Sequence, residues 1–108
     1  METNTTQQVE RRSCFRVAYS QKRSPTVYIN GFAYPVVDLS EKGVKILNTN
    51  RRRMPEDIFK FKMSFLDGET LDLVGKLQRI SSNQIVLAIL RGIPYQRILK
   101  EQTQRRIN

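Results

Sequence analysis

Two short stretches of this chain bring together side chains suited to an anionic ligand that carries a base. The first is Glu10-Arg11-Arg12-Ser13-Cys14-Phe15-Arg16, and the second is Asp38-Leu39-Ser40-Glu41-Lys42-Gly43. A guanidinium can fork onto the O6 and N7 edge of guanine, grip a phosphate through two hydrogen bonds, or stack on the face of a base. Arg12 and Arg16, four positions apart, could hold a ligand from two sides. Asp38 offers what the arginines lack: its carboxylate only accepts hydrogen bonds, so it can take the N–H groups on guanine's opposite edge. Ser40 can add a hydroxyl contact. Gly43 is free to adopt a left-handed backbone and to let a ligand approach closely.

Composition removes most rival chemistry. The chain has 108 residues, no histidine and one cysteine, Cys14. Structural zinc sites need cysteine and histidine in fours, and a histidine triad or general base cannot be built. There is no Walker-type phosphate loop and no G-x-G-x-x-G. Asp38 and Glu41 are the one carboxylate pair that could serve an enzyme, and a turn explains both better. A protein without catalysis, cofactor or metal is therefore expected. A lone cysteine excludes an internal disulfide and fits a reducing compartment.

The net charge is +9, which speaks of anionic partners rather than of fold. Residues 1–23 hold five Lys/Arg against two Glu, residues 91–108 five against one, and the stretch between them nine against seven. The basic excess thus lies at the two ends. The longest apolar run, Ile85 to Leu90, is far short of the roughly 20 residues a membrane span needs. Met1 to Val9 lacks the apolar stretch of a secretory signal, so a cytoplasmic location is expected.

The positioning elements follow from hydrophobic period. Residues 1–9 read as a disordered tail, and 10–108 as one domain: a flexible basic arm (10–23), a barrel (24–92) and a helix (94–107). Thr26 to Ile29 reads as a strand, Asn30-Gly31 as a hairpin turn, and Phe32 to Leu39 as the returning strand, with Pro35 marking an edge or a bulge. Val44 to Leu47 is a further strand after the Ser40–Gly43 turn. Asn48 to Glu56 is a polar loop whose Arg51, Arg52 and Arg53 read as solvated. Phe59, Phe61, Met63 and Phe65 alternate with Lys60, Lys62 and Ser64; Leu71, Leu73, Gly75 and Leu77 keep the same period, and Ile85 to Leu90 is a buried strand. After Pro94 the period becomes helical. Tyr95, Ile98, Leu99 and Ile107 share one face, with Arg97, Lys100, Glu101 and Arg105 largely off it. Six or seven short strands at this spacing, with one late helix, predict a mainly β fold, a closed or nearly closed antiparallel barrel.

The two clusters, in this order and on this strand pattern, resemble the PilZ family, bacterial receptors for the second messenger cyclic di-GMP. Its pattern is Arg-x-x-x-Arg in an N-terminal arm, then Asp/Asn-x-Ser-x-x-Gly. The matches are Arg12 and Arg16, then Asp38, Ser40 and Gly43. The resemblance runs over about residues 10–107 and implies a PilZ-like six-stranded barrel with a C-terminal helix. It implies that Arg12 and Arg16 hold guanine and phosphate, that Asp38 and Ser40 bind a guanine, and that Gly43 shapes the turn beneath. Arg11 matches the position where an arginine in that family favours a stacked ligand dimer, so two cyclic di-GMP per domain are expected. With no room for an output domain, the signal is expected to pass to a separate protein, still unidentified. Ligand would draw the basic arm onto the barrel and create a surface for that partner to read.

Three other readings compete. Apart from the resemblance, Arg11, Arg12 and Arg16 read as a solvated basic segment, and Asp38 and Ser40 as ordinary turn formers. A general RNA- or single-stranded-DNA-binding barrel would use the same charge, with Tyr28 or Tyr34 exposed as stacking platforms. A ligand-free PilZ-like adaptor would bind protein alone.

Overall fold

The computed structural model describes residues 16–20, 22–91 and 93–107. Its organising hairpin follows from two residues. Asn30 and Gly31 adopt φ of 53° and 85°, the two positive values that a type I′ turn requires. The turn sets β2 (Thr26–Ile29) against β3 (Phe32–Leu39), with Ile29 opposite Phe32 and Thr26 opposite Pro35. β4 (Gly43–Leu47), β5 (Phe59–Ser64), β6 (Thr70–Ser81) and β7 (Gln84–Ile89) complete the ring. Its order is β3-β2-β5-β6-β7-β4, and β4 pairs back onto β3. All pairings are antiparallel, so the chain forms a closed six-stranded barrel, as expected, and closure leaves no free edge in the ring.

A seventh strand, β1 (Val17–Ala18), lies within the stretch expected to be a flexible arm. It pairs with the C-terminal half of β3, Val17 opposite Leu39 and Ala18 opposite Asp38, beyond the part of β3 that β2 covers. Val17 is buried in the core, and the Tyr19 N–H donates to the Val37 carbonyl at 2.9 Å. Apolar burial and ladder bonding thus fix residues that charge alone marks as arm.

Alternation fills the barrel. Val27, Val36, Leu39, Val44, Ile46, Met63 and Leu87 are sealed from solvent. Phe61, Met63 and Phe65 point inward and Lys60 and Lys62 outward, as the period predicts. Tyr34 departs from expectation: it is 2% exposed. It lies opposite Val27 on the inward face, whereas Tyr28, one position on, is on the outside at 42%. Gly75 on β6 packs tightly against β7. A Cβ there would strike the Ala88 carbonyl and the Phe61 ring.

The helix α1 (Tyr95–Ile107) follows Pro94, whose carbonyl accepts from the Arg97 and Ile98 N–H groups. Ile98 is buried as expected, but Arg97 and Glu101 also face inward, each 5% exposed, and Tyr95 faces out. The side chains of Arg105 and Ile107 lie outside the described residues. Two acidic groups on the β5–β6 turn explain the inversion. Arg97 bonds Asp67 at 3.0 Å, pairs with Glu69 and with Glu101 one helical turn on, and lies 4.0 Å over the Phe65 ring. The Tyr19 hydroxyl donates to Glu101 at 2.6 Å, tying the helix to the β1 segment. Burial works against the Arg97 charge, but Glu101, Glu69 and Asp67 outweigh it and raise its pKa. The Glu69 N–H, then Lys100 and Arg97, hold the Asp67 carboxyl well below the usual carboxylate range. Among the described residues no helix is long and apolar enough to cross a membrane.

Candidate ligand-binding site

The outer faces of four adjacent strands share one register. Asp38 on β3 lies opposite Lys45 on β4, Lys45 opposite Val86 on β7, and Val86 opposite Arg79 on β6. Two irregularities sit in this row, between Val36 and Asp38 and between Leu77 and Arg79. Val36 and Leu39, three positions apart, both point into the core. The bulge between them therefore adds one residue to the outer face of β3, as bulges do where a side chain must be re-aimed.

Arg16 stands immediately before β1. Its Nη1 lies 3.9 Å from one Asp38 oxygen, and Lys45 Nζ lies 3.8 Å from the other. Both distances exceed a hydrogen bond. Asp38 therefore sits between two loosely held cations, one of them, Arg16, with its side chain 62% exposed.

The turn that carries Ser40 is held from both sides. The Ser40 N–H donates to the Gly43 carbonyl at 2.9 Å, and Ser40 Oγ donates to the same oxygen at 3.4 Å. The Lys42 carbonyl accepts from the Ile89 N–H and the Glu41 carbonyl from the Ile93 N–H, which anchors the turn to the end of β7 and the approach to α1. Gly43 is not in the left-handed region expected of it. Among the described glycines positive φ falls at Gly31 and Gly68, and Gly43 opens β4. A Cβ on Gly43 would lie 3.5 Å from the Leu87 carbonyl and 3.9 Å from Ser40 Oγ, ordinary contacts. What the glycine supplies is clearance on the cavity wall.

Arg16, Asp38, Ser40 and Gly43 line one open cavity of about 260 Å³. Four of the six residues picked from sequence thus converge. The other two, Arg11 and Arg12, lie outside the described residues. Lys42, Lys45 and Arg79 also line the cavity and escaped the sequence reading. Lys45 was within reach of it, as an outward position on β4. Arg79 was not, because only the pairing of β6 through β7 brings it near Asp38. Glu41, its possible partner in a carboxylate pair, contributes its backbone to the turn and is not part of the cavity lining.

The Arg51–Arg53 loop is more ordered than a solvated reading implies. The buried Asn48 side chain accepts from the Arg52 N–H at 3.1 Å and donates to the Arg52 carbonyl at 2.9 Å. Arg52 in turn lies 4.0 Å over the Phe32 ring.

No family model and no curated protein matches the chain in sequence. In structure it is similar to the crystal structure of an uncharacterized Legionella protein, with a TM-score of 0.64 and 17% identity over 86% of this chain and 98% of that one. At that identity the likeness is one of fold.

Proposed function

We propose that this chain is a PilZ-type receptor for cyclic di-GMP that passes its signal to a separate protein and performs no chemistry itself. One observation carries the reading. Arg16 and the Asp38–Gly43 turn, separated in sequence by β1, β2 and most of β3, meet at one cavity with a cation on each side of a carboxylate.

Binding would work by exchange of partners. The ligand's phosphates take the guanidinium of Arg16 and the ammonium of Lys45 in charge-assisted hydrogen bonds, which the long pairs to Asp38 do not satisfy. Asp38, released, accepts from the guanine N–H edge, and Ser40 adds its hydroxyl. Lys42 and Arg79 extend the positive rim for a second stacked ligand. Arg11 and Arg12 bring further cations from the preceding segment, and ordering them over the ligand consumes part of the binding energy. Residues 17–19 already sit on the barrel. Because Tyr19 reaches Glu101, a pull on the β1 segment is felt at α1, which makes the helix side the surface for a partner to read.

Isothermal titration with cyclic di-GMP, GTP and a short RNA tests this. Cyclic di-GMP alone is expected to bind tightly at Asp38, with one or two ligands per chain read directly. Removing Arg16 deletes charge-assisted contacts to a partly desolvated ligand, a loss of roughly 2–4 kcal/mol, or about 30- to 1,000-fold. An Arg16→Ala protein that binds like the parent would overturn the assignment.

A further inference from the structure

The site described uses one side of the barrel wall. Continuing around it, the same registers carry cations onto β6 and β5. On β2, β5 and β6, Tyr28 lies opposite Lys62 and Lys62 opposite Asp72; in the next row Lys60 lies opposite Val74. The Leu90 N–H donates to the Val74 carbonyl at 2.8 Å, which brings the start of the following segment, and so Arg91, alongside. Tyr28, Lys60, Lys62, Val74 and Arg91 line an open groove of about 500 Å³.

We infer that this groove is a second binding site, for a single-stranded nucleic acid, with Tyr28 as the platform for a base and Lys60, Lys62 and Arg91 on the phosphates. Four features favour that ligand class. Tyr28 is 42% exposed beside a lysine in register, the combination by which sequence-tolerant strands are held. Lys60 and Lys62, on one face of β5, stand about 6.8 Å apart, comparable with successive phosphates of an extended strand. The one acidic residue in the groove, Asp72, is engaged by Lys62 at 3.3 Å. Val74, with Phe61 and Leu73, gives an apolar floor to a groove whose rim is cationic.

The groove also does not stop at its own rim. Outward positions of β6 lead from Val74 past Lys76 to Arg79, and the row through Val86 leads on to Lys45. Across the strands, from Tyr28 on β2 to Lys45 on β4, this is four strand spacings, about 19 Å, and the route also climbs along β6 from Val74 to Arg79. A strand of several nucleotides could lie along it, across the long way round the barrel. Much of the charge in the near-balanced middle of the chain is thereby gathered onto one surface.

The proposal does not rest on the cyclic di-GMP reading, and one titration series separates them. The probe is a fluorescently labelled oligouridylate of about 12 nucleotides, within the site size of one small barrel, measured by anisotropy with the full chain. Three to four phosphate contacts predict an affinity that falls about 20- to 50-fold between about 50 and 200 mM salt. Tyr28→Ala is expected to weaken binding about 5- to 100-fold, Tyr28→Phe to restore it, and Lys60→Ala with Lys62→Ala to flatten the salt dependence by about 1.4 in log–log slope. Arg16→Ala is expected to leave the oligouridylate bound. Failure to bind, or a Tyr28→Ala protein that binds as the parent does, overturns the proposal. So does polyglutamate binding equally well and displacing the RNA, which would make the face a general anion surface. Loss of RNA binding in Arg16→Ala alone would move the RNA to the other site. Oligouridylate binding that depends on Tyr28 in a protein that ignores cyclic di-GMP would uphold this inference and remove the first reading.

Discussion

Arg97 and Arg16 both face acidic side chains, one on either side of the β1 segment, yet Arg97 is 5% exposed and Arg16 stands mostly in solvent. Arg97 closes on Asp67, Glu69 and Glu101 and stacks on Phe65; of its buried polar atoms, Nε alone lacks a partner among the described residues. Arg16 reaches Asp38 at a distance too long for a hydrogen bond, and Lys45 does the same from the other side. The residue types are the same. The difference is how much of each group's hydrogen-bonding capacity the fold itself uses. A buried cluster satisfied at all but one atom leaves little for a ligand and specifies where the helix docks. An open, under-satisfied one offers both signs of charge to whatever arrives.

The sharpest way to break this comparison is to remove each arginine in turn and measure both stability and binding. Arg97→Ala leaves Glu101 buried without its counter-ion. A loss of about 3–5 kcal/mol in urea unfolding is expected, from the scale for breaking a buried pair. Arg16→Ala is expected to change stability by no more than about 0.5 kcal/mol, since exposed pairs contribute little, while losing the ligand as described above. If Arg97→Ala unfolded at the parent's midpoint, the buried cluster would not be structural and the contrast would fail.

A pH series separates the clusters by a different property. The carboxyl of Asp67 titrates below its unfolded value, about 3.9, because the Glu69 N–H, then Lys100 and Arg97, favour its charged form. A depressed carboxylate contributes stability that is complete above the unfolded pKa and is lost as pH falls towards the folded one. Arg97, with its pKa raised, stays charged throughout. The urea midpoint is therefore expected to hold steady from about pH 7 to 5 and to drop below about pH 4. Asp67→Asn should lower the plateau and flatten the acid limb. An acid limb unchanged in Asp67→Asn would assign the drop to other carboxylates.

The same contrast explains what could be read from the chain. Asn30-Gly31, the Phe59–Phe65 alternation and the Asp38–Gly43 turn are local signals, and each stands where the sequence puts it. Three readings depended on partners distant in sequence and went astray. β1 looked like arm because two residues carry no period; it becomes a strand only where the end of β2 leaves half of β3 uncovered. Arg97 looked solvent-facing because charge is normally outward on an amphipathic helix; the β5–β6 turn overrides that with two acids. Tyr34 looked exposed until pairing with Val27 put it inside. In the site, Arg16 and Asp38 were legible as types and Lys45 was within reach as an outward position on β4, whereas Arg79 needed the register across four strands. Chemistry written within a few residues survives translation into structure, and chemistry assembled by pairing does not show until the sheet is closed.

Lys45 gives the smallest and most discriminating expected effect within the open cluster. It shares Asp38 with Arg16 at nearly the same distance but is less exposed, 28% against 62%. Its ammonium is a strongly hydrated point charge without the fork of a guanidinium, so it can favour a phosphate but not orient one. Lys45→Ala should leave stability within about 0.5 kcal/mol, because Arg16 still faces Asp38. Cyclic di-GMP affinity should fall by about 1 kcal/mol, roughly fivefold, with a shallower salt dependence. A loss as large as that of Arg16→Ala would shift the centre of the site from β1 onto β4. No loss at all would mean that Lys45 serves only to balance Asp38 in the empty protein, and that the phosphates are held from the N-terminal side alone.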